Sequence, residues 1–223
     1  IYISSDYGNT WVISTSSDQR SWVGISISSN GKYQTAVAGD GDGDVYISSD
    51  YGATWSDKTT DNSGNWSSVS ISADGKYQTA VAMNGFVHTS SDYGNTWKRN
   101  NTIYAGTTPA VGISSDGKYQ TVIYSGYIYI SSNYGNTFVQ KFSSYYGEFR
   151  SVALSSDGKY QTVVSGNHWN ADANYIYISS DYGNTWTTST SAGARKWQDV
   201  AISANGKYQT AISISNGYDA DQG

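Results

Sequence analysis

No cysteine occurs in this chain, and its 223 residues include a single glutamate, Glu148. Without cysteine there are no disulfides, no thiolate metal sites and no cysteine nucleophile. One glutamate leaves any paired-carboxylate chemistry to loop aspartates. Basic residues are sparse and unclustered: 13 Lys and Arg face 18 acidic residues, giving a formal charge of −5 and a pI near 4.8. That is not the electrostatic footprint of a nucleic-acid binder. No apolar run approaches the ~18 residues of a membrane-spanning helix, so no membrane insertion is expected. No useful length of chain repeats with the 3.6-residue period of an amphipathic helix. An initiator methionine is also missing, and Ile1-Tyr2-Ile3 already reads as strand, the expectation for a processed or excised piece.

What the chain does have is aromatic and small polar residues. Its 21 Tyr and 8 Trp are too many for a disordered chain and suit half-buried sheet. Abundant Ser, Thr, Asn and Tyr beside scarce Lys and Glu point to an extracellular, cell-surface or virion-surface location. Two glycosylation sequons, at Asn65 and Asn100, are no more than such a composition supplies by chance.

Two words recur along the chain. The octet SSDYGNTW, or a near copy, begins at Ser4, Ser48, Ser90, Ser131 and Ser179. The word GKYQT begins at Gly31, Gly75, Gly117, Gly158 and Gly206. Both step by the same 41 to 48 residues, the mark of a repeat architecture. One unit that short cannot bury its own apolar face, so residues 1–223 are read as a single domain.

Each repeat carries four strand signals. The first alternates, as in Val69-Ser70-Ile71-Ser72, and ends at an Asn-Gly or Asp-Gly pair that favours a two-residue type I′ hairpin. The second is KYQTAVA and its copies, the third VYISS and its copies, and the fourth begins near the octet's Trp. Four antiparallel strands per repeat make a propeller blade. The expected fold is therefore an all-β, five-bladed β-propeller. Its fifth blade is split between the termini, and the N-terminal strands are expected to pair with the C-terminal ones and close the ring. Segments 163–175 and 211–223 are both 13 residues long, which matches the spacing that closure needs. Closure leaves no exposed sheet edge. The other reading is a span of a longer array, or terminal strands that pair with a neighbouring molecule.

The octet matches S-x-D-x-G-x-T-W. On these residues, repeated along nearly the whole chain, the sequence resembles the BNR or Asp-box repeat propellers of the sialidase-like superfamily. The resemblance implies that each octet is a hairpin between a blade's third and fourth strands. Asp6, Asp50, Asp92 and Asp181, with Asn133 in the fourth copy, would accept hydrogen bonds within their own turns. Trp11, Trp55, Trp97, Phe138 and Trp186 would bury rings between sheets. These are structural roles, and the repeat family includes sialidases, other glycosidases, lectin-like proteins and non-enzymatic assembly factors.

Near-identical turns fall at one end of the strands and variable loops at the other, so any site is expected among the variable loops. Trp22, Trp66, Phe149 and Trp197 sit nine residues before their GKYQT words, with Thr108 in the remaining repeat. They either ring the variable face, where they could stack on sugars, or pack between blades. Trp169 and His168, and Tyr145 and Tyr146, lie in loops and are further ligand-binding candidates; Tyr218 is similar. Asp40, Asp42 and Asp44 alternate like the start of a calcium loop. The Gly and distal Glu of an EF-hand are absent, so a solvated acidic turn competes with Ca²⁺ binding, and no other cofactor is implied.

Sialidases grip a carboxylate with three arginines and add a Tyr/Glu pair and an acid. The four arginines here, Arg20, Arg99, Arg150 and Arg195, lie in fourth-to-first connections, but the arginine motif ahead of the first box is missing. The expectation is therefore a non-enzyme: a lectin-like, carbohydrate-binding propeller that meets a glycan or an extracellular partner. The alternative is a structural or adhesive module of an extracellular filament, surface protein or viral fibre. A glycosidase is the remote one.

Overall fold

The computed structural model describes residues 1–14, 20–39, 44–58, 65–104, 106–144, 148–166 and 174–214. Among them are twenty β-strands and no helix. A hairpin of β1 (Tyr2–Ile3) and β2 (Val12–Ile13) opens the chain. Four four-stranded antiparallel sheets follow, each ordered as the chain runs. The first holds β3 (Trp22–Ile27), β4 (Gln34–Ala38), β5 (Val45–Ser48) and β6 (Ser56–Asp57); the second holds β7 (Trp66–Ile71), β8 (Gln78–Ala82), β9 (Phe86–Ser90) and β10 (Lys98–Tyr104). The third holds β11 (Ala110–Ile113), β12 (Gln120–Tyr124), β13 (Tyr127–Ser131) and β14 (Val139–Ser143); the fourth holds β15 (Phe149–Leu154), β16 (Gln161–Ser165), β17 (Ile176–Ser179) and β18 (Thr187–Ser189). A pair, β19 (Lys196–Ile202) and β20 (Gln209–Ile214), ends the described chain.

The second strand of each full sheet is buried at every position, from Gln34–Ala38 to Gln161–Ser165. A strand covered on both faces needs small or branched residues throughout, and QTAVA, QTVIY and QTVVS supply them. Each such strand also carries a polar link to the next sheet. Thr35, Thr79, Thr121 and Thr162 donate their hydroxyls to Gln78, Gln120, Gln161 and Gln209 over 2.6–2.7 Å. Backbone amides of Ser29, Ala73, Ser115 and Ser156 donate to Ala73, Ser115, Ser156 and Ala204 in the following sheet. Clusters such as Val37, Val45, Trp66, Val69, Ala80 and Ala82 fill the space between.

Two expectations change. The Asn-Gly and Asp-Gly turns are not type I′. Gly31 N donates to Ser28 O, and Gly31, not Asn30, holds the positive φ of 78°. Asn30 stays out of the left-handed region because its side chain accepts from the Ser28 hydroxyl and the Lys32 amide, locking a longer loop closed by Ser28 and Tyr33. Nor do the chain ends share a sheet: among the described residues β1–β2 and β19–β20 are separate two-stranded sheets. The hairpin instead packs against the first sheet, where Ile1 and Trp22 join Ala36, Tyr46 and Trp55.

The two kinds of connection segregate. Octet amides at Tyr51, Tyr93, Tyr134 and Tyr182 donate to Lys32, Lys76, Lys118 and Lys159 of the GKYQT turns. At the other end, Gly39 bonds Ser21, Met83 bonds Asn65, Asn84 bonds Gly106 and Gly166 bonds Glu148, so the variable loops hold one another.

Candidate functional site

The octets build one turn five times. In the second copy the Ser48 hydroxyl donates to Asp50 Oδ1 and accepts from the Gly52 amide, both over 2.8 Å. Asp50 also accepts from the Thr54 amide and hydroxyl. The Thr54 hydroxyl, then its amide, then Ser48 hold the Asp50 carboxyl below its ordinary value. Asp6 and Asp181 are lowered by the same kind of bonds, Asp6 chiefly by the Thr10 hydroxyl and Asp181 chiefly by the Thr185 amide. Burial is the largest influence on Asp92 and pushes it up, but Thr96 and Ser90 together bring it down. Asn133 keeps the geometry without the charge: Oδ1 accepts from Thr137 N while Nδ2 donates to the Thr137 hydroxyl. Tyr51 shares the left-handed region with Gly52, as does each equivalent Tyr, a strain absent from the sequence reading. Trp55 is buried, Trp97, Phe138 and Trp186 are partly buried against neighbouring clusters, and Trp11 is exposed.

The strand-opening aromatics pack between sheets. Trp66, Phe149 and Trp197 are 2%, 0% and 6% exposed, and Trp22 is half-buried with its ring 5.3 Å from Tyr46. The cause is a bulge. The register slips between Trp22 and Gly24, Trp66 and Ser68, Phe149 and Ser151, and Trp197 and Asp199. An extra residue there turns the ring toward the adjacent sheet. Thr108 precedes a strand with no such slip and offers its hydroxyl to Phe149 O. Trp169, His168, Tyr145, Tyr146 and Tyr218 lie outside the described residues.

Of the calcium candidates, Asp40 and Asp42 lie outside the described residues. Asp44 is buried and meets Arg20 at 2.8 Å, so a guanidinium takes the position a cation would want. Among the described residues no group of three or more His, Asp or Glu could hold a metal ion. The other arginines are also engaged locally. Arg99 lies 4.5 Å over the Phe86 ring, Arg150 pairs with Glu148 at 3.1 Å, and Arg195 donates to Ala192 O. They do not form a carboxylate clamp.

One surface escaped the sequence reading. Where the second and third sheets present their variable ends, Met83, Tyr104 and Tyr127 are 38%, 57% and 40% exposed. Tyr104 meets Phe86 edge to face at 5.3 Å, with Arg99 on the Phe86 ring. Asn84 N bonds Gly106 O, and Gly106 lies against Ser125, so the three loops are contiguous. Beneath them Tyr124 stacks on Tyr129, and burial pushes the Tyr124 phenol up. These loops are short, and length had drawn attention to the longer ones.

No known protein family and no curated protein matches the chain. Solved structures do. An ancestral GH74 enzyme superposes with a TM-score of 0.70 at 12% identity, over 97% of this chain and 34% of that one. The fold is that of a β-propeller. The GH74 xyloglucanase from Xanthomonas campestris gives 0.62 at 11% identity over 86% and 38% of the two chains. YCF48 bound to D1 peptide gives 0.61 at 14% over 88% and 63%. The chain thus spans about a third of each GH74 enzyme and just under two thirds of YCF48.

Proposed function

We propose that this propeller is a non-catalytic binding module, of the BNR or Asp-box type, that takes carbohydrate on its variable face. The observation that carries the reading is the contiguous Met83, Tyr104 and Tyr127 surface beside Phe86 and Arg99. Exposed aromatic rings offer the flat apolar faces that sugar C–H groups stack on, and Arg99 adds a donor fork for hydroxyls or a carboxylate. The absence of catalysis is inferred from the carboxylates. Asp6, Asp50, Asp92 and Asp181 are occupied within their own turns, and Glu148 is held by Arg150. Glycoside hydrolysis needs two carboxyls facing one bond. The scaffold hosts a glycan-directed enzyme in one neighbour and a peptide binder in another, which suits either ligand class. An extracellular setting fits this role.

A glycan array followed by calorimetry tests the proposal. Binding that disappears in Tyr104→Ala, in a protein that still folds, is the expected result. A folded wild-type chain with no glycan hit overturns it. A second reading, a structural or adhesive assembly module, is favoured by the two unfinished ends of the sheet array.

A further inference from the structure

Every link that joins one sheet to the next is left open at both ends of the array, and the two ends are complementary. The side-chain ladder runs from Thr35 to Gln78 and onward to Gln209. It ends with Thr210, an exposed hydroxyl that donates to no described residue, and begins with Gln34, whose Oε1 accepts from no threonine. Tyrosine stacking follows the same rule. Tyr33, Tyr77 and Tyr119 stack on Tyr93, Tyr134 and Tyr182 of the next sheet at 4.5–4.6 Å. Tyr208 at one end and Tyr51 at the other are 67% and 59% exposed and stack on nothing described.

The octet glycines locate the fit more closely. A Cβ built on Gly52, Gly94, Gly135 or Gly183 would come within 2.6–2.8 Å of a side chain: each glycine sits against the Gln of its own sheet and a third-strand residue of the preceding one. For Gly94 these are Gln78 and Ile47, and for Gly183 they are Gln161 and Ile130. Gly8 alone among the octet glycines has nothing within 4 Å. The matching niche, formed by Gln209 and Ile178, is an open cavity of about 340 Å³ also lined by Tyr160, Ser179, Thr185 and Gly206. At the opposite end a second cavity, about 350 Å³, is lined by Ile1, Tyr2, Trp22, Val23 and Ile25, where an internal sheet would meet the first strands of its neighbour.

We propose that the β19–β20 end of one chain docks on the hairpin and first sheet of a second copy, so that Gly8 enters the Gln209–Ile178 niche and β1 adds to the edge of β20. The inference deepens the assembly reading and stands whether or not a glycan binds. Within one chain the two half-sheets are formed but unpaired, and each already occupies the position its own neighbour dictates: Ile3 meets Gly52 as Ile47 meets Gly94, and Tyr160 meets Gly206 as Tyr119 meets Gly158. A second copy supplies the missing contacts without moving either. The unmatched apolar side chains fall on the same two surfaces: Val23, Ile25 and Ile27 on β3, Val12 and Ile13 on β2, and Ile212 and Ile214 on β20. Because the two surfaces differ, the contact is head-to-tail and repeats from copy to copy.

The register follows from the first sheet. Gln34 lies opposite Ser48 and Ala36 opposite Tyr46. By the repeat, Gln209 falls opposite Ser4 and Ala211 opposite Tyr2 of the second copy. The chain has no cysteine of its own, so introduced thiols report cleanly. Tyr2→Cys and Ala211→Cys chains, each folded by circular dichroism, are mixed under mild oxidation, and sedimentation is followed against concentration. The expected result is a mixed disulfide dimer linking the two variants, with wild-type mass rising above 24.1 kDa as concentration increases. Gly8→Ala weakens association by about tenfold or more, because its methyl is tolerated in a free hairpin but meets Ile178 and Gln209 when docked. A 24.1 kDa monomer at every concentration overturns both the inference and the assembly reading. Association without the mixed disulfide overturns this docking mode alone. A double variant that cross-links within one chain at high dilution overturns it in favour of self-closure.

Discussion

Thr79 donates its hydroxyl to Gln120 Oε1 across 2.6 Å, and both side chains are fully buried between the second and third sheets. Gln120 in turn gives its amide to Gly117 O, so one side chain ties a turn to the adjacent sheet. Thr79→Val keeps the shape but leaves a buried carbonyl oxygen without its donor. The expected loss is about 1–3 kcal/mol, read from the urea midpoint. Thr210→Val, at the exposed end of the same ladder, is expected to change stability by less than about 0.5 kcal/mol at concentrations where the chain is monomeric.

Acid should loosen the octet turns. Asp50 and Asp181 have folded pKa values below the ordinary 3.8, so their stabilisation is complete above the unfolded value and fades as pH falls through the folded one. The thermal midpoint is expected to hold from neutral pH down to about 5 and to drop below about 4. Replacing Asp50, Asp92 and Asp181 together with Asn, the residue already present at position 133, should flatten that drop while lowering the midpoint at neutral pH. A pH profile identical to wild type would remove the turns from the acid response.

Two aromatics separate packing from binding. Phe149→Ala empties a fully buried site and should cost about 3–5 kcal/mol. Tyr104→Ala, on an exposed ring, should leave the denaturation midpoint nearly unchanged and abolish glycan binding. If Phe149→Ala alone weakened binding and Tyr104→Ala did not, the exposed surface would lose its assigned role.

Arg20 and Asp44 give a third contrast. With the Asp44 side chain 7% exposed and Arg20 at 25%, Arg20→Met should destabilise by about 1–3 kcal/mol, less than the ~3–5 for breaking a fully buried pair. Millimolar calcium or a chelator should leave the wild-type melting temperature unmoved. A calcium-dependent rise would restore the Asp40, Asp42 and Asp44 loop as a metal site.

The sequence was most legible where structure is local and repeated. The alternation in Val69-Ser70-Ile71-Ser72 gives β7, and the polar wiring of the octet can be read from Ser, Asp, Gly and Thr at fixed offsets, because all its bonds close within a few residues. The turn at Asn30-Gly31 was misread because Asn-Gly alone does not reveal that Ser28 would capture the Asn side chain. The bulges after Trp66, Phe149 and Trp197 were invisible for a similar reason. One extra residue opposite a partner strand changes where a ring points without changing its spacing from GKYQT.

By itself the sequence determined the repeat, the four strands of each unit and the identity of the turn residues, since these depend on neighbours within a few positions. Only the tertiary structure decided which aromatics are buried, which short loops meet around Tyr104, and that Gly8 and the Gln209 niche are left without each other. Those outcomes depend on how one sheet is placed against the next, a relation between residues about forty positions apart that no local pattern encodes.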